Sequence, residues 1–290
     1  MKKFLKHLFK LLPFKQQIFT VVRAAVKVPH RIYRHLYFNG RISYMVNGKK
    51  IVMNQQGYDV ENTLFWAGLE GCWEKESMGL WVRLCQQAQF IMDVGANTGT
   101  YALVAKTVNP RAAVYAFEPL DFIYNKLTDN VLLNKLDIHC VQEALSNYDG
   151  SAKVYPETLE HIYSITVNKN TSAAEVQVYE REIRVKKFST FAEQQQIKGA
   201  DLMKIDVELH EAEVLEGMGA YLREWKPTML IEILSDEVGQ KVEILINDMG
   251  YLYFNINENG GIRQVTHIGK SDYYNYLLCS PEKASFLKLI

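Results

Sequence analysis

The chain has 290 residues, of which 48% are hydrophobic and 23% charged, so it can bury a sizeable core and does not resemble a disordered protein. It carries 33 basic and 33 acidic side chains, and this balance argues against a protein that coats nucleic acid with its whole surface. The four cysteines form no CxxC pair and have no histidine cluster beside them, which argues against a zinc or disulfide framework and favours reduced thiols in the cytoplasm.

Charge is distributed unevenly along the chain. Residues 1–58 hold 12 Lys or Arg side chains and no acid, whereas residues 59–290 hold 21 basic and 33 acidic ones. In residues 2–12, basic side chains lie opposite Leu and Phe on a helical wheel, which predicts an amphipathic helix that Pro13 ends. Such a helix is typical of an anionic membrane surface, here through residues 1–41, although a helix that packs on the protein body fits the pattern as well. No apolar run is long enough to span a membrane, and the interspersed lysines argue against a secretory signal.

Turn and strand patterns follow this segment. Asn47-Gly48 predicts the two-residue turn of a β-hairpin. Beyond the hairpin, helical and apolar strand patterns alternate at the spacing of a parallel sheet with right-handed crossovers. The predicted strands cover residues 90–94, 112–117, 138–142, 201–206, 228–233, 251–256 and 274–279. No helix fits between the last two strands, so we expect them to form an antiparallel hairpin at the sheet edge.

Residues 150–200 interrupt the alternation and predict an inserted antiparallel hairpin or lid. The expected organisation is therefore a basic N-terminal extension, residues 1–58, and an α/β domain, residues 59–290. That domain would have a seven-stranded sheet with helices on both faces. Four polar or aromatic residues of the insertion are candidates for an acceptor site, namely Tyr155, His161, Tyr163 and Ser164.

Chemistry is expected at the carboxyl ends of the first three strands of this sheet, where an open α/β sheet binds its ligands. Asp93 ends the first strand and precedes a turn, residues 95–99, whose glycines let the backbone approach a ligand closely. Glu118 follows the next strand, where a carboxylate can accept both hydroxyls of a ribose. Glu143 and Ala144 follow the third strand, where a base could lie.

The glycine spacing and charge of the turn distinguish two classes of ligand. A dinucleotide site reads G-x-G-x-x-G, whereas this turn reads G-x-x-x-G. The Asp93 carboxylate would repel a pyrophosphate but suits S-adenosylmethionine (SAM), which carries a sulfonium and an ammonium and no phosphate. The residues favour SAM over NAD, and an NAD-dependent oxidoreductase remains the alternative.

Five segments together resemble the FkbM family of SAM-dependent methyltransferases over roughly residues 74–280. They are FIMDVGANTGTYALVA, VYAFEPLDFIYNKLTDNVLLN, VQEALSNYDGSAKVY, LMKIDVELHEAEVLEG and PTMLIEI. The order DVGAN, FEP and KIDVE is more specific than any of the motifs alone. The resemblance implies a class I, Rossmann-like methyltransferase fold. It also implies transfer of the SAM methyl group to a hydroxyl oxygen, often on a sugar of a glycan, glycolipid or natural product.

The resemblance implies roles for individual residues. For the methionine side of SAM it implies Asp93, Gly95, Ala96, Asn97 and Gly99. For the ribose and adenine it implies Glu118 with Pro119, and then Glu143 and Ala144. The strand-end motif beside the methyl group would be Lys204, Asp206 and Glu208.

Methyl transfer requires alignment of the acceptor oxygen and removal of its proton. Lys204 and Asp206 are two apart on a strand and face the same side, with Glu208 and His210 on the loop that follows. Asp206 is the first candidate for the base, or for the group that orients the hydroxyl, and His210 is the second. Alternatively, Lys204 only pairs with Asp206, His210 only caps the next helix, and Glu232 faces the core rather than the cleft. No further ligand supports a metal at Asp206 and Glu208, so none is expected.

Two positions depart from the family pattern. Leu209 stands where the family usually has Gly after KIDVE, and Phe188-Ser189 stands where it commonly has Leu-Asp. The leading hypothesis is an O-methyltransferase of a sugar in a cell-surface glycan or glycolipid, in the cytoplasm and peripheral on the inner face of the cytoplasmic membrane. Leu209 motivates an alternative, a protein that binds SAM without transferring its methyl group.

Overall fold

The computed structural model describes residues 13–55, 59–154 and 180–290. The predicted amphipathic helix of residues 2–12 lies outside the described residues. The same holds for the four candidates of the insertion, Tyr155, His161, Tyr163 and Ser164. Within the described ranges, no helix is both long and apolar enough to cross a bilayer.

The N-terminal segment forms two helices and a β-hairpin. The helices are α1 (Lys15–Ala25) and α2 (His30–Tyr33), and the strands are β1 (Gly40–Val46) and β2 (Lys49–Gln55). Asn47 and Gly48 have φ values of 45° and 74°, as the tight hairpin turn favoured by Asn-Gly requires. Val46 pairs with Lys49, which confirms the predicted two-residue turn.

The rest of the described chain alternates helices and strands. The helices are α3 (Asp59–Ala67), α4 (Lys75–Cys85), α5 (Thr100–Val108), α6 (Asp121–Asn134), α7 (Phe188–Gln194), α8 (Glu211–Met218), α9 (Ala220–Trp225), α10 (Asp236–Ile246) and α11 (Pro281–Phe286). The strands are β3 (Phe90–Val94), β4 (Ala113–Phe117), β5 (His139–Val141), β6 (Ala144–Ser146), β7 (Gly150–Val154), β8 (Arg181–Lys187), β9 (Leu202–Ile205), β10 (Thr228–Glu232), β11 (Leu252–Asn257), β12 (Gly261–Val265) and β13 (Asn275–Cys279).

The main sheet has the order β12-β11-β13-β10-β9-β3-β4-β5. Strands β5, β4, β3, β9 and β10 are parallel, whereas β13 is antiparallel to both of its neighbours. All seven predicted strands belong to this sheet. The predicted antiparallel pairing of the last two strands is confirmed, since β11 pairs with β13. The structure adds an eighth strand, β12, which lies between them in sequence, pairs with the other side of β11 and takes the edge position predicted for this pair. The sequence GIRQV of β12 lies at the solvated edge and lacks the apolar run that marks a buried strand.

The inserted hairpin is confirmed where the chain is described. Strand β7 pairs antiparallel with β8, from Gly150 with Val185 to Val154 with Arg181, and β6 pairs parallel with β8. The insertion then ends in helix α7 rather than in a continued strand. Phe188, Phe191 and Ala192 explain this, because a helix places their spacing of three and four on one buried face.

Two clusters of buried side chains cover the two faces of the main sheet. On one face, Phe19 of α1 and Ile51 of the hairpin share a cluster with Trp81 of α4 and Leu103 of α5. On the other face, helices α7, α8 and α10 pack against β9 and β10. The described part of the N-terminal extension therefore packs into the core of the α/β domain.

Helix α6 binds the outer edge of strand β2 through two asparagines. Asn134 accepts from the backbone N–H of Val52 at 2.8 Å and donates to its carbonyl at 2.6 Å. Asn130 accepts from the N–H of Asn54 at 2.9 Å and donates to the carbonyl of Thr98 at 2.9 Å. The hairpin is thus connected through α6 to the glycine turn after β3.

Candidate active site

A cavity of about 520 Å³ opens at the carboxyl ends of the parallel strands. Its volume is typical of sites for cofactors and small molecules. The predicted residues that line it are Asp93, Gly95, Ala96, Asn97, Glu118, Pro119, Glu143, Ala144, Lys204, Asp206, Glu208 and His210. Of the predicted site residues that the structure describes, Gly99 is the one that is not among those lining the cavity.

The turn after β3 is held in a conformation that its sequence requires. Gly95 has a φ of 83°, and a Cβ there would overlap the carbonyl oxygen of Asp206. Asn97 follows with a φ of 49°, in the left-handed region that Asn tolerates better than most residues. Gly99 has a φ of 95°, and a Cβ would lie 2.6 Å from Cδ1 of Leu127. Gly99 therefore acts by letting α5 begin close to α6 and does not itself face the cavity.

Asp93 is buried at the end of β3, with an exposed fraction of 1%. Its Oδ2 accepts a hydrogen bond from the backbone N–H of Ala102 in α5 at 2.8 Å. Burial raises the pKa of Asp93 to about 7, although the nearby Lys204 ammonium opposes the shift. The carboxyl is thus fixed in orientation by a helix.

Glu118 is equally well fixed. Its Oε2 accepts from the N–H of Asn97 at 3.1 Å and its Oε1 from the N–H of Leu120 at 3.0 Å. Burial raises the pKa of Glu118 to about 7, and these two hydrogen bonds oppose the shift. Because a carboxylate oxygen has two lone pairs, each oxygen retains one for a further donor such as a ribose hydroxyl.

Glu143 and Ala144 lie where the third strand ends. Glu143 has an exposed fraction of 8%, and its Oε1 is 3.2 Å from Nζ of Lys186 in β8. Ala144 begins β6, which pairs with the same strand. The inserted hairpin therefore holds this wall of the cavity against the main sheet.

At the end of β9, Lys204 donates from Nζ to Oδ2 of Asp206 at 2.9 Å. Lys204 is 1% exposed, and burial alone would lower its pKa. The carboxylates of Asp206, Glu74 and Glu232 outweigh burial and raise the pKa of Lys204. The lysine thus remains charged, and the pairing that the sequence left open is present.

Three carboxyl groups meet beside this ion pair. One oxygen each of Asp206, Glu208 and Glu232 lies within 4.8 Å of the others. Burial and the Asp206 carboxylate raise the pKa of Glu208 to about 8 and that of Glu232 to about 10. At neutral pH, Glu208 and Glu232 therefore hold protons for most of the time. Glu232 lines the cavity and does not face the core.

The same three oxygens are donors of the type that divalent cations prefer. The sequence analysis found no third ligand beside Asp206 and Glu208, and Glu232 is close enough to be one. The Lys204 ammonium, however, already supplies a positive charge at Asp206. We therefore assign no metal to this group.

His210 is engaged by neighbouring side chains. Its Nε2 is 2.8 Å from Oγ of Ser146 and its Nδ1 is 3.7 Å from Oε2 of Glu213. Burial lowers the pKa of His210, while Glu213 and Glu216 oppose the shift. His210 occupies the N-cap position of α8, as the capping interpretation expected, but its side chain makes no capping hydrogen bond there. Instead, the ring joins α8 to strand β6.

Leu209 adopts the backbone conformation of the glycine that it replaces. Its φ is 72°, and that of Glu208 is 55°, both in the left-handed region that favours Gly. Its side chain packs against the core cluster beneath α8 and does not line the cavity. The substitution therefore leaves the acceptor side open.

Several residues that no sequence motif indicated line the far end of the cavity. They are Trp73, Glu74, Glu258, Asp272 and Tyr274. Glu74 accepts from Nδ2 of Asn275 and from the hydroxyl of Tyr101, both at 2.7 Å. These residues come from three loops that are distant in sequence, and none follows a recognisable motif.

The charge of the lining fits SAM and does not fit a dinucleotide. Among the described residues that line the cavity, nine are carboxylic acids, Lys204 is the one lysine and none is arginine. Because Lys204 is paired with Asp206, a pyrophosphate would find no available cation here. SAM carries two positive groups and no phosphate, and Gly95 leaves room for its close approach.

The strand order with an antiparallel β13, together with the glycine turn and Glu118, defines a class I, Rossmann-like methyltransferase. The model of the methyltransferase FkbM domain family matches residues 93–253, which is more than half of the chain. The chain therefore belongs to the FkbM methyltransferase family, and it is a SAM-dependent enzyme. The NAD-dependent oxidoreductase considered as an alternative is wrong.

Two curated relatives are also methyltransferases. The methyltransferase sdnD of Sordaria araneosa is 27% identical over 189 residues, which cover 56% of this chain and 73% of sdnD. The hexuronic acid methyltransferase AglP of Haloferax volcanii is 26% identical over 145 residues, covering 50% of this chain and 56% of AglP. The match thus spans little more than half the length of AglP.

Solved structures show weaker similarity. The methyltransferase FkbM of Methylobacillus flagellatus has a TM-score of 0.40 and 15% identity, covering 66% of this chain and 43% of that one. The fibrillarin of Aeropyrum pernix, solved with S-adenosyl-L-methionine, has a TM-score of 0.40 and 14% identity, covering 82% of this chain and 81% of that one. The family assignment rests on the sequence match.

Proposed function

We propose that the protein methylates a hydroxyl group of a sugar in a cell-surface glycan or glycolipid. The observation that carries this proposal is the Asp206 carboxylate, paired with buried Lys204, in the same cavity as the glycine turn. A carboxylate at this place can orient a hydroxyl and take up its proton. The relative AglP is a hexuronic acid methyltransferase, which supports a sugar as the acceptor class.

The cofactor would be held by the residues that follow β3, β4 and β5. SAM supplies a methyl group on a positively charged sulfur. Asp93 and the turn residues would bind its methionine part, with Gly95 allowing close approach of the backbone. Glu118 would accept the ribose hydroxyls, with Pro119 beside it. Glu143 and Ala144 would contact the adenine.

Asp206 would act as the base that accepts the proton of the acceptor hydroxyl. Lys204 would fix the orientation of Asp206 through their hydrogen bond of 2.9 Å. Glu208 and Glu232 hold protons near neutral pH and can donate to sugar oxygens. His210, whose two ring nitrogens face Ser146 and Glu213, would position the loop rather than serve as the base.

Methyl transfer is the preferred activity over SAM binding without turnover. That alternative depends on Leu209, whose bulky side chain stands where the family usually has glycine and could block the acceptor. Leu209 is half-buried against the core cluster beneath α8, does not line the cavity and keeps the left-handed backbone of a glycine. The acceptor side is thus not blocked by this residue.

A transfer assay tests the proposal. Methyl-labelled SAM is incubated with the enzyme and a glycan extract from cells in which its gene is deleted. We expect label in sugars, and a loss of about 100-fold or more in rate for Asp206→Asn, since a positioned base contributes about 10²–10⁴-fold. Asp129→Asn, at an exposed site on α6, is the matched control. Label in no sugar fraction would contradict the proposed function.

The N-terminal extension, residues 1–58, would dock the catalytic domain, residues 59–290, on the inner face of the cytoplasmic membrane. Ile18 and Val21 lie on one side of α1 with exposed fractions of 40% and 69%, and Phe14, the residue before the helix, is 72% exposed. The 12 basic residues of the extension and its lack of acids complement anionic lipid. Docking would bring the cavity close to a lipid-linked acceptor.

Vesicle binding tests the docking role. The variant Ile18→Asp/Val21→Asp should lose at least about tenfold in affinity for vesicles of phosphatidylglycerol and phosphatidylcholine, because it removes apolar area and adds negative charge. Leu132→Asp is a matched control, since Leu132 is 73% exposed on α6. Equal binding of both variants and the wild type would exclude α1 as the docking face.

A further inference from the structure

The far end of the cavity is strongly acidic. We call this end the acceptor half, and its carboxyl groups belong to Glu74, Asp206, Glu208, Glu232, Glu258 and Asp272. Five of them lie at the ends of the neighbouring strands β9, β10, β13 and β11 or in the loops beside those ends, and Glu74, just before α4, is hydrogen-bonded to Asn275 at the start of β13. In strand register, Glu232 of β10 pairs with Asn275, the residue after Tyr274.

No cation in the described acceptor half is available to an anionic ligand. Lys204 is 1% exposed, and its ammonium donates to Asp206. The Glu258 carboxylate is paired with backbone groups rather than with a cation, because it accepts hydrogen bonds from the N–H groups of Glu76 and Ser77 at the start of α4. An acceptor with a carboxylate or phosphate would lose its hydration here and meet the Asp206 carboxylate without an available cation, since Glu208 and Glu232 are neutral.

Two exposed aromatic side chains stand at the mouth of the acceptor half. Trp73 and Tyr274 have exposed fractions of 43% and 46%, and both line the cavity. The residues that follow them are joined, since Asn275 donates to Glu74 at 2.7 Å. This hydrogen bond holds the two loops, and hence the two aromatic residues, at one opening. Exposed aromatic surface at a cavity mouth is suited to the apolar C–H face of a sugar ring.

We infer that the acceptor is a sugar unit without a carboxylate or phosphate, and that Trp73 and Tyr274 form the platform on which its ring packs. This inference rests on the proposed sugar methylation and narrows its substrate class. The hydroxyl groups of such a sugar can hydrogen-bond to the carboxyl groups of the acceptor half, whereas the carboxylate of a hexuronic acid would be repelled by the Asp206 carboxylate and would find no available cation. The acceptor would thus differ in charge from the one named for AglP.

Fractionation of labelled product tests the charge of the acceptor. Glycan extract methylated with labelled SAM is hydrolysed, and the sugars are separated on an anion-exchange column. We expect at least about tenfold more label in the fraction that does not bind the column. Burial of the unpaired charge of an acidic sugar costs more than about 1.4 kcal/mol, which corresponds to a factor of ten. Label mainly in the retained, acidic sugars would overturn the inference and leave sugar methylation standing. Label in no sugar would overturn the proposed function itself.

Substitution of the aromatic residues tests the platform. Trp73→Ala and Tyr274→Ala should each raise the KM for the labelled-sugar extract by about tenfold, in line with the loss of one stacking contact. Both variants should keep the thermal shift that SAM causes in the wild type. Phe286→Ala, at a 40% exposed aromatic of α11 away from the cavity, should change neither quantity. An unchanged KM in both variants, or loss of the SAM shift, would overturn the assignment of these residues to the acceptor.

Discussion

The two halves of the cavity are built on different principles. In the cofactor half, after β3, β4 and β5, both oxygens of Glu118 accept backbone hydrogen bonds, and one oxygen of Asp93 accepts another. In the acceptor half, Oε2 of Glu232 is buried without a hydrogen-bond partner among the described residues. Its carboxyl group crowds against Asp206 and Glu208.

The two halves differ in the groups that surround their buried carboxyl groups. Burial raises the pKa of Glu118 to about 7, and backbone N–H groups counteract it. For Glu208 and Glu232, neighbouring carboxylates add to the effect of burial. The cofactor half is therefore organised before its ligand binds, whereas the acceptor half is held in an unfavourable state that a ligand rich in hydroxyl groups would relieve.

The largest expected effect on the cofactor half comes from a substitution at Gly95. The variant Gly95→Ala should lose SAM binding and about 2–4 kcal/mol of unfolding free energy, because its Cβ would overlap the Asp206 carbonyl and its φ is 83°. Urea unfolding with and without SAM measures both effects. Gly79→Ala is the matched control, since nothing lies within 4 Å of its Cβ position in α4. A Gly95→Ala variant as stable as the wild type would contradict the rigid turn.

Removal of the Glu118 carboxylate tests the cofactor half directly. SAM at 100 times its Kd should stabilise the wild type by about 2.7 kcal/mol, or about 5–10 °C in Tm. In Glu118→Ala this shift should vanish, because the predicted ribose acceptor is absent. Thermal unfolding with and without SAM is the measurement, and a full shift in the variant would refute the role of Glu118.

The acceptor half should respond to pH in the opposite sense from a salt-bridged site. The folded pKa of Glu232 is raised to about 10, so the folded protein binds more protons than the unfolded one over the range above pH 4.5. The unfolding free energy is therefore highest, as far as Glu232 is concerned, at low pH, and it decreases as the pH rises toward 10.

Glu232→Gln removes this ionisable group. The variant should be more stable than the wild type by at least about 1 kcal/mol at pH 8, with a smaller difference at pH 6. Urea unfolding at the two pH values is the measurement. Glu193→Gln, on the surface of α7, should give no such trend. If the stability difference between Glu232→Gln and the wild type shrank as pH rises, Glu232 would not have a raised pKa in the folded protein.

The smallest expected effect concerns Leu209. With a φ of 72°, Leu209→Gly should be about 1 kcal/mol more stable than Leu209→Ala, because only glycine is free of strain there. At the exposed helical residue Leu132, the order should reverse, with the Ala variant more stable than the Gly variant by about 1 kcal/mol. Chemical unfolding of the four variants measures both differences. The same order at both sites would contradict the left-handed backbone at Leu209.

The sequence predicted the parallel part of the fold because its strands are buried on both faces. Runs such as FIMDV and TMLIE are mostly apolar, with their one carboxyl group at or near the strand end, and helices cover them on both sides. Strand β12 escaped prediction because an edge strand needs no such run. The hairpin of β7 and β8 was predicted by alternation, whereas α7 was not, since its seven residues give little helical periodicity.

The cofactor half was predictable for a related reason. Its residues follow directly after recognisable strands, so that sequence order and spatial order agree. In the acceptor half, Trp73, Glu258 and Tyr274 come from separate loops that only the folded chain brings together. The link between Glu258 and the start of α4 spans 182 residues and leaves no local pattern. For the same reason, the contact of His210 with Ser146 was not foreseen.

The asparagines of α6 have a consequence for the association of chains. An edge strand offers unpaired backbone groups to any other extended segment, and such edges seed aggregation. On β2, Asn134 occupies both backbone groups of Val52, and Asn130 occupies the N–H of Asn54. Side-chain amides thus take the place of a neighbouring strand. These amides protect the hairpin against intermolecular sheet growth, in addition to the charges of Lys49 and Lys50 at the start of β2.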